Sequence, residues 1–178
     1  MTSILGANMG LDEIILDIYV EVGMPLREIE GIDELRTLVG SEVGVSDWLE
    51  ITQERINAFA EATNDFQWIH VDVERCKKES PFGTTIAHGY LTMSLISQFS
   101  YAVIGVKQKF AMTINYGCNK VRFISPVKCG TRIRSRHQLL EVSDVEGGWQ
   151  TRWNVTIEME GGQKPACVAE TIGRFYRA

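Results

Sequence analysis

Residues 89–104 carry no charged side chain, and this stretch constrains the fold more than any other part of the sequence. Apolar or small residues occupy every face of a helix built from it, which is typical of a helix buried on nearly all sides. The run is shorter than the roughly 18 apolar residues of a membrane span. Because Gly105 follows it, we expect one uninterrupted, buried helix from about Gly89 to Ile104 and no membrane partner.

The C-terminal half alternates apolar and polar residues with a period of two. From Trp149 to Met159 the odd-numbered residues are apolar or threonine and the even-numbered ones are polar, and Ile133–Leu139 alternates in the same way. Residues 112–123 and 166–176 supply two further strands, and the glycine pairs at 147–148 and 161–162 mark turns. Short connections favour antiparallel neighbours. The sequence therefore predicts an α+β domain in which an antiparallel sheet wraps around one long buried helix.

An N-terminal helical extension, residues 1–27, precedes the main domain at residues 28–178. Its apolar residues recur at helical spacing, and Gly23 and Pro25 follow them: Leu11, Ile14, Ile15, Ile18 and Val22. One reading packs this short amphipathic helix on its own domain. The other makes it a lid or an oligomer contact.

A second helix precedes the buried one. Thr52 is a suitable N-cap, and Asn64 can take the left-handed conformation that ends helices. Asp65 then lies just past a helix end, on chain that we expect to be irregular as far as Pro81. An isolated helical turn is predicted near Val73–Lys78.

Composition excludes several functional classes. The chain has 18 Lys+Arg against 23 Asp+Glu, a net charge of −5, which argues against a nucleic-acid or anionic-membrane partner. None of the four cysteines forms a CxxC pair or a zinc-site spacing, and the first cationic side chain is Arg27, so we expect a reduced, cytoplasmic protein. The glycine-rich nucleotide motifs, the GxSxG nucleophile turn and HExxH are all absent.

Three histidines remain as candidates for chemistry. His137 lies on the apolar face of a predicted strand and is interpreted as a core residue. His70 follows Asp65 by five residues, and a carboxylate and an imidazole so placed can hold one water molecule and transfer its protons. The alternative is an Asp that caps a backbone amide and a surface His. Gly89 likewise has two interpretations. It presents the main-chain N–H of a helix N-terminus to a developing oxyanion, or it merely lets the chain turn tightly into the helix.

Two linked motifs resemble a known family. Asp65-x4-His70 followed by Ala87-His88-Gly89 is similar to the motif of MaoC-like (R)-specific enoyl-CoA hydratases, known as hydratase 2. The amino-acid sequence of residues 67–72, 81–83 and 86–91 resembles that of the nodulation-protein-N-like branch. The resemblance covers about Gly31 to the C-terminus and implies the hotdog fold.

The resemblance also implies a mechanism and a set of site residues. It implies that Asp65 and His70 bind the catalytic water and that the Gly89 amide binds the thioester carbonyl. Gln67, His88 and Ser97 are expected as substrate-binding or supporting residues. It implies a homodimer with sites near the subunit interface, an acyl thioester of coenzyme A or of a carrier protein as substrate, and no metal or separate cofactor.

The sequence departs from the family pattern next to the predicted pair. Asn64 stands where the family has glycine, and Gln67-Trp68 replaces Asn-Pro. We expect Trp68 to reshape the acyl pocket. The predicted function is hydration of trans-2-enoyl-CoA to (3R)-3-hydroxyacyl-CoA, with a hotdog acyl-CoA thioesterase and a non-catalytic acyl-thioester binding protein as alternatives. Basic strands such as Arg132–Arg136 are read as a solvated face rather than a phosphate site.

Overall fold

The computed structural model describes residues 27–178. The helix predicted within residues 11–22, and all of the predicted extension before Arg27, lie outside the described residues. The strands are β1 (Arg27–Ile29), β2 (Glu42–Val45), β3 (Leu49–Glu50), β4 (Ile104–Val106), β5 (Phe110–Phe123), β6 (Arg132–Val145), β7 (Gly148–Met159) and β8 (Cys167–Arg177). The helices are α1 (Ile32–Thr37), α2 (Gln53–Thr63), α3 (Trp68–Val71), α4 (Val73–Glu79), α5 (Gly89–Ser94) and α6 (Ile96–Val103).

The main sheet is antiparallel, as predicted from the alternating strands. Its order is β2-β6-β7-β8-β5, and β3 also pairs with β6. Each of the four long strands runs for 11 to 14 residues. A separate two-stranded sheet pairs β1 with β4 in parallel, and the prediction missed it because three-residue strands carry no periodic signal.

The core lies between this sheet and the central helix, which comprises α5 and α6. Leu91, Ile96 and Phe99 of the helix pack against Val155 and Ile157 of β7, all buried. A second cluster places α1 and the end of α6 against β6, through Ile32, Leu35, Val103 and Leu139. The α+β architecture that the pattern predicts is confirmed.

The central helix is interrupted, so the prediction of one continuous helix is wrong at Leu95. This residue stays near the right-handed helical region, with φ −68° and ψ −12°, but α5 ends before it and α6 begins after it. The Ser94 hydroxyl donates to the Leu91 carbonyl at 2.8 Å. Such local bonds compete with the helix ladder and bend helices.

The prediction that this helix is buried on nearly all sides is only partly confirmed within the described chain. Tyr90 is 72% exposed and Tyr101 is 44% exposed. Tyr90 meets the Phe123 ring edge-on, with centroids 5.8 Å apart. Further large apolar side chains are exposed on and beside β5, and we call them the β5 surface: Met112, Ile114, Tyr116, Phe123 and Ile124.

Within the described residues, no helix combines the length and the apolar character needed to cross a bilayer.

Candidate functional site

Asp65 is placed by the end of α2. Thr52 caps the start of this helix, accepting a hydrogen bond from the Arg55 amide at 3.3 Å. At the other end Asn64 takes the left-handed conformation, with φ 56° and ψ 26°, as the sequence predicts. The chain turns there, and the Asp65 side chain remains 53% exposed. Its Oδ1 accepts a weak hydrogen bond from the Gln67 amide at 3.4 Å.

His70 lies in α3, a single helical turn, rather than on the irregular chain that was predicted. Its amide donates to the Gln67 carbonyl at 2.9 Å, which closes the turn. The imidazole is buried, and its Nδ1 lies 2.7 Å from the Ile86 carbonyl. Since a carbonyl can only accept, Nδ1 carries the proton and Nε2 of the neutral ring is left with its lone pair.

The environment of His70 also favours the neutral ring. Burial lowers the pKa of His70 by desolvating the imidazolium, which is the largest effect. The hydrogen bond to Ile86 and the charge of Asp65 act in the opposite direction, and His88 lowers the pKa further. A neutral imidazole with a free Nε2 is the form that can accept a proton.

His88 joins the other two residues. Its Nε2 lies 2.9 Å from the Asp65 main-chain carbonyl, to which it donates, and 3.9 Å from Asp65 Oδ2. Its ring stacks on His70 at a centroid distance of 3.8 Å and meets Phe59 at 5.1 Å. Among the buried side-chain nitrogen and oxygen atoms of residues 27–178, His88 Nδ1 is the one without a hydrogen-bond partner.

A cavity of about 370 Å³ opens beside these residues. His70 and Gly89 both lie on its wall, and most of the remaining lining is apolar: Phe82, Ile86, Ala87, Thr92, Phe123, Ile124, Ser125, Pro126, Val127 and Ala166. As the first residue of α5, Gly89 has a main-chain N–H without an acceptor inside the helix. The cavity thus combines a proton acceptor, a helix-terminal N–H and a surface suited to an acyl chain.

Other predicted residues lie at the margin of the site or away from it. Gln67 is exposed and precedes α3 as its N-cap. Ser97 lies on α6, where its hydroxyl accepts a hydrogen bond from Asn115 at 3.1 Å, and it is not part of the cavity wall. Trp68 packs under the Arg75 guanidinium, 4.3 Å from the ring centroid, and does not line the cavity either. It therefore shapes the loop rather than the wall of the cavity.

Gln53 and Thr85 contact the site, and neither residue was predicted from the sequence. The Gln53 amide nitrogen donates to the His70 main-chain carbonyl at 2.8 Å, and the Thr85 hydroxyl donates to Gln53 Oε1. These residues lie 17 and 15 positions from His70 along the chain. A polar residue in the first turn of a helix and a threonine in a loop carry no local signal for such long-range bonds.

Asp65, His70 and His88 are also the kind of side chains that bind metal ions. Their nearest ligand atoms lie within 4.8 Å of one another. Tetrahedral zinc with bonds of about 2.0–2.1 Å would need ligand atoms about 3.3 Å apart. His88 Nε2 and His70 Nδ1 are already engaged with main-chain carbonyls. Two of the four ring nitrogens in this cluster are therefore occupied by hydrogen bonds within the protein.

The arginine-rich face of β6 is paired with carboxylates. Arg134 and Arg136 both contact Glu158, at 2.9 and 2.6 Å, and Arg132 lies 3.1 Å from Glu160. This pairing supports the interpretation of a solvated sheet face.

Sequence comparison relates the chain to described proteins. A family model described as MaoC like domain matches residues 34–159. The 3-hydroxyacyl-thioester dehydratase Z of Mycobacterium tuberculosis is 49% identical over 154 residues, which cover 84% of this chain and 99% of that protein. Nodulation protein N of Rhizobium meliloti is 44% identical over 142 residues, or 79% and 88% of the two chains. The matched region contains the whole cluster of Asp65, His70 and His88.

Solved structures support the fold. R-hydratase PhaJ1 from Pseudomonas aeruginosa aligns with a TM-score of 0.62 at 24% identity, over 77% of this chain and 83% of that one. The (R)-hydratase from A. caviae aligns with a TM-score of 0.59 at 22% identity, over 75% and 96%. With the antiparallel sheet and the central helix, these neighbours confirm the predicted hotdog fold.

Proposed function

This chain belongs to the MaoC-like dehydratase family, and from that premise we propose that it is an (R)-specific enoyl-CoA hydratase. The reaction adds water to a trans-2-enoyl thioester and gives the (3R)-3-hydroxyacyl thioester. One observation carries the proposal: a neutral His70, whose Nδ1 is held by Ile86, and Gly89 line the same largely apolar cavity, with the Asp65 side chain next to His70.

The proposed mechanism starts from a water molecule held between Asp65 and His70. The thioester carbonyl withdraws electrons, so C3 of the enoyl group is electrophilic. The water oxygen attacks C3 while His70 Nε2 takes one of its protons. The Asp65 carboxylate relays the proton taken by His70 to C2, so both groups return to their starting forms. Hydrogen and hydroxyl are thereby added across the double bond, and the reverse path is dehydration.

We assign electrophilic stabilisation to the Gly89 amide. Negative charge moves to the thioester oxygen as the water attacks, and a fixed N–H donor at that oxygen stabilises this charge. The α5 N-terminus adds a favourable dipole. Proton transfer and oxyanion stabilisation account for the chemistry, so we propose that the enzyme needs no metal or separate cofactor and that coenzyme A enters with the substrate. A carrier protein can present the same thioester.

We further propose that the working form is a homodimer. β5 lies at one edge of the main sheet, and the β5 surface exposes five large apolar side chains. Unpaired edges and apolar patches of this kind favour pairing with a second chain. Because Phe123 and Ile124 belong both to this surface and to the cavity wall, pairing there places the sites near the interface.

All four cysteines are free thiols, which supports a reducing, cytoplasmic setting.

A hydration assay tests the function. Trans-2-enoyl-CoAs of increasing chain length are offered, enoyl absorbance and free thiol are followed together, and product chirality is determined by chiral chromatography. We expect loss of absorbance without thiol release, and a 3R product. Thiol release indicates a thioesterase instead, and binding without turnover indicates a non-catalytic acyl-thioester binding protein.

Two isosteric variants test the assigned residues. Asp65→Asn and His70→Gln preserve shape but impair proton transfer, so each lowers kcat by about 10²–10⁴-fold with little change in binding. Because the two side chains act on one water, the double variant loses far less than the product of the single losses. Near-normal turnover in either single variant contradicts the mechanism.

A further inference from the structure

Four residues form a closed series of hydrogen bonds and main-chain links behind the His70 ring. We call this series the circuit, and its members are His70, Ile86, Thr85 and Gln53. The ring Nδ1–H donates to the Ile86 carbonyl at 2.7 Å, and Ile86 continues along the chain to Thr85. The Thr85 hydroxyl donates to the Gln53 side-chain carbonyl. The Gln53 amide nitrogen then donates to the His70 main-chain carbonyl at 2.8 Å, which returns the circuit to its start. All three donors point the same way around it, and bonds arranged in this way polarise one another.

The circuit is anchored at Thr85. This residue is fully buried, and its main-chain carbonyl accepts from the Cys129 amide at 2.9 Å. The next amide, that of Ile86, donates to the Ile69 carbonyl at 3.0 Å. The segment that holds the His70 ring is thus fixed to the fold on one side and to the chain preceding His70 on the other.

Gln53 connects the anchor to the histidine backbone. It is half-buried at the start of α2, and both polar ends of its side chain take part in the circuit, while its amide nitrogen also donates to Asn57 Oδ1 at 2.8 Å. Without the Thr85 hydroxyl, Gln53 Oε1 loses this donor, and the amide is held only through its nitrogen, by Asn57 and His70. Loss of either side chain therefore loosens the His70 main chain, from which the ring projects, while the Nδ1–H bond to the Ile86 carbonyl remains.

We propose that Gln53 and Thr85 are positioning residues that hold the His70 imidazole against the Ile86 carbonyl and thereby maintain its direction and its tautomer. The inference rests on the proposed function in one respect, since it takes His70 as the base. Neither residue lines the cavity, so both act through His70 rather than on the substrate. A displacement of about 1 Å at a reacting group is enough to lower a rate by about 10²-fold.

The kinetic test uses Thr85→Val, which removes only the hydroxyl, Gln53→Met, and the double variant. We expect each single variant to lower kcat by about 10-fold to 10²-fold with KM nearly unchanged. The double variant should lose about as much as either single one, because the circuit is broken once in every case. Wild-type kcat in both single variants overturns the proposal.

A matched control separates positioning from general stability. Thr151 is also fully buried, and its hydroxyl oxygen accepts from Trp153 Nε1 at 3.0 Å, on β7. Thr151→Val is therefore the same substitution at an equally buried threonine outside the circuit. We expect it to lower Tm to a similar degree as Thr85→Val while kcat stays at the wild-type value. Equal loss of kcat in both variants contradicts a positioning role.

A second readout does not depend on activity. The ¹⁵N chemical shifts of labelled histidine report which ring nitrogen carries the proton. We expect the Nδ1–H tautomer at His70 in the wild type and in Thr151→Val, and a mixture with Nε2–H in Thr85→Val or Gln53→Met. If Thr85→Val does not fold, Gln53→Met alone decides. A wild type without hydratase activity refutes the proposed function, whereas an unchanged tautomer in Gln53→Met refutes this inference.

Discussion

His70 and His88 lie with their imidazole rings stacked, with centroids 3.8 Å apart and planes inclined by 26°. The stack places a second imidazole directly against the proposed base, and the charge of His88, when present, opposes protonation of His70. The same His88 ring holds the Asp65 carbonyl through Nε2 at 2.9 Å. One buried side chain thus contacts both members of the proposed water-binding pair.

Replacement of His88 should separate these two effects. His88→Gln keeps an amide donor that reaches the Asp65 carbonyl, whereas His88→Leu keeps the bulk and loses the donor. We expect kcat to fall by about 10-fold or more in the leucine variant and less in the glutamine variant, as for loss of positioning at a reacting group. The measurement is steady-state hydration at saturating substrate, and equal kcat in the two variants contradicts the anchoring role.

The pH profile of both His88 variants should shift in a defined direction. His88 lowers the pKa of His70, so its removal raises that pKa. Since the neutral ring is the active base, the acidic limb of the kcat profile moves to higher pH in both variants. A limb that stays in place, or moves to lower pH, shows that His88 does not act on His70.

Gly89→Ala is expected to impair turnover more than folding. The φ angle of Gly89 is not in the left-handed region, so alanine is conformationally acceptable there. An added Cβ lies 3.0 Å from two atoms of the Phe123 ring, so this side chain must shift by a few tenths of an ångström to admit it. We expect Tm to be nearly kept and kcat to fall by about 10²-fold, as for a lost oxyanion donor.

The double variant Gly89→Ala/Phe123→Leu distinguishes the two causes of such a loss. If the methyl group acts by displacing Phe123, the smaller leucine restores turnover to the level of Phe123→Leu alone. If the bare Gly89 backbone must approach the thioester, turnover stays low, which is the result we expect. Unchanged kcat in Gly89→Ala removes this residue from the site.

His137 should make the fold sensitive to acid. The ring is buried on β6, as predicted for a core histidine, with Nε2 2.6 Å from the Ser135 hydroxyl oxygen. Burial lowers the pKa of His137 to about 4, below the unfolded value of about 6.5. The unfolded chain therefore binds the proton first, and stability is lost as pH falls from about 6.5 towards 4.

The size of this effect follows from the two pKa values. When the pH falls from 7 to 5, His137 alone lowers the free energy of unfolding by about 2 kcal/mol. Urea unfolding of the wild type and of His137→Gln at both pH values measures it. In the variant the free energy of unfolding should decrease less between these pH values. Some decrease should remain, because the pKa of His70 is lowered as well. Parallel pH dependence in both proteins contradicts the assignment.

Charge on the β5 surface should dissociate the proposed dimer. Met112 and Ile114 are 56% and 38% exposed, and glutamate at both positions would place like charges in a two-fold interface. Light scattering should then return the mass of one 20.0 kDa chain instead of twice that value. Val39→Glu, at another exposed apolar residue (44%), is the control and should leave the dimer intact. A wild type that is monomeric at micromolar concentration contradicts the dimer itself.

The fold was predictable where the sequence is periodic over many residues. The alternation in β6 and β7 predicts their inward faces, and Thr52 and Asn64 predict both ends of α2. The isolated helical turn predicted near Val73–Lys78 is α4, and Asp72 caps it by accepting a hydrogen bond from the Arg75 amide at 2.9 Å. The break at Leu95 was not predictable, because leucine is a strong helix former and Leu95 itself stays near the right-handed helical region.

The motif spacing predicted that Asp65, His70 and His88 lie together, but it did not predict their geometry. Asp65, His70 and Gly89 were selected from motif spacing, while the roles of Gln53, Thr85 and the Ile86 carbonyl come from contacts between distant segments. A main-chain carbonyl has no sequence signature at all, yet here it fixes which nitrogen of His70 carries the proton.

The left-handed conformation of Asn64 has a consequence for how relatives of this chain are recognised. The family pattern has glycine at this position, and in this chain Asn64 has a positive φ angle of 56°, which glycine adopts freely and asparagine tolerates. The position therefore encodes a backbone direction, not a chemical group. Search patterns that insist on glycine before the aspartate will overlook chains of this kind, whereas patterns that admit both residues follow the physical constraint.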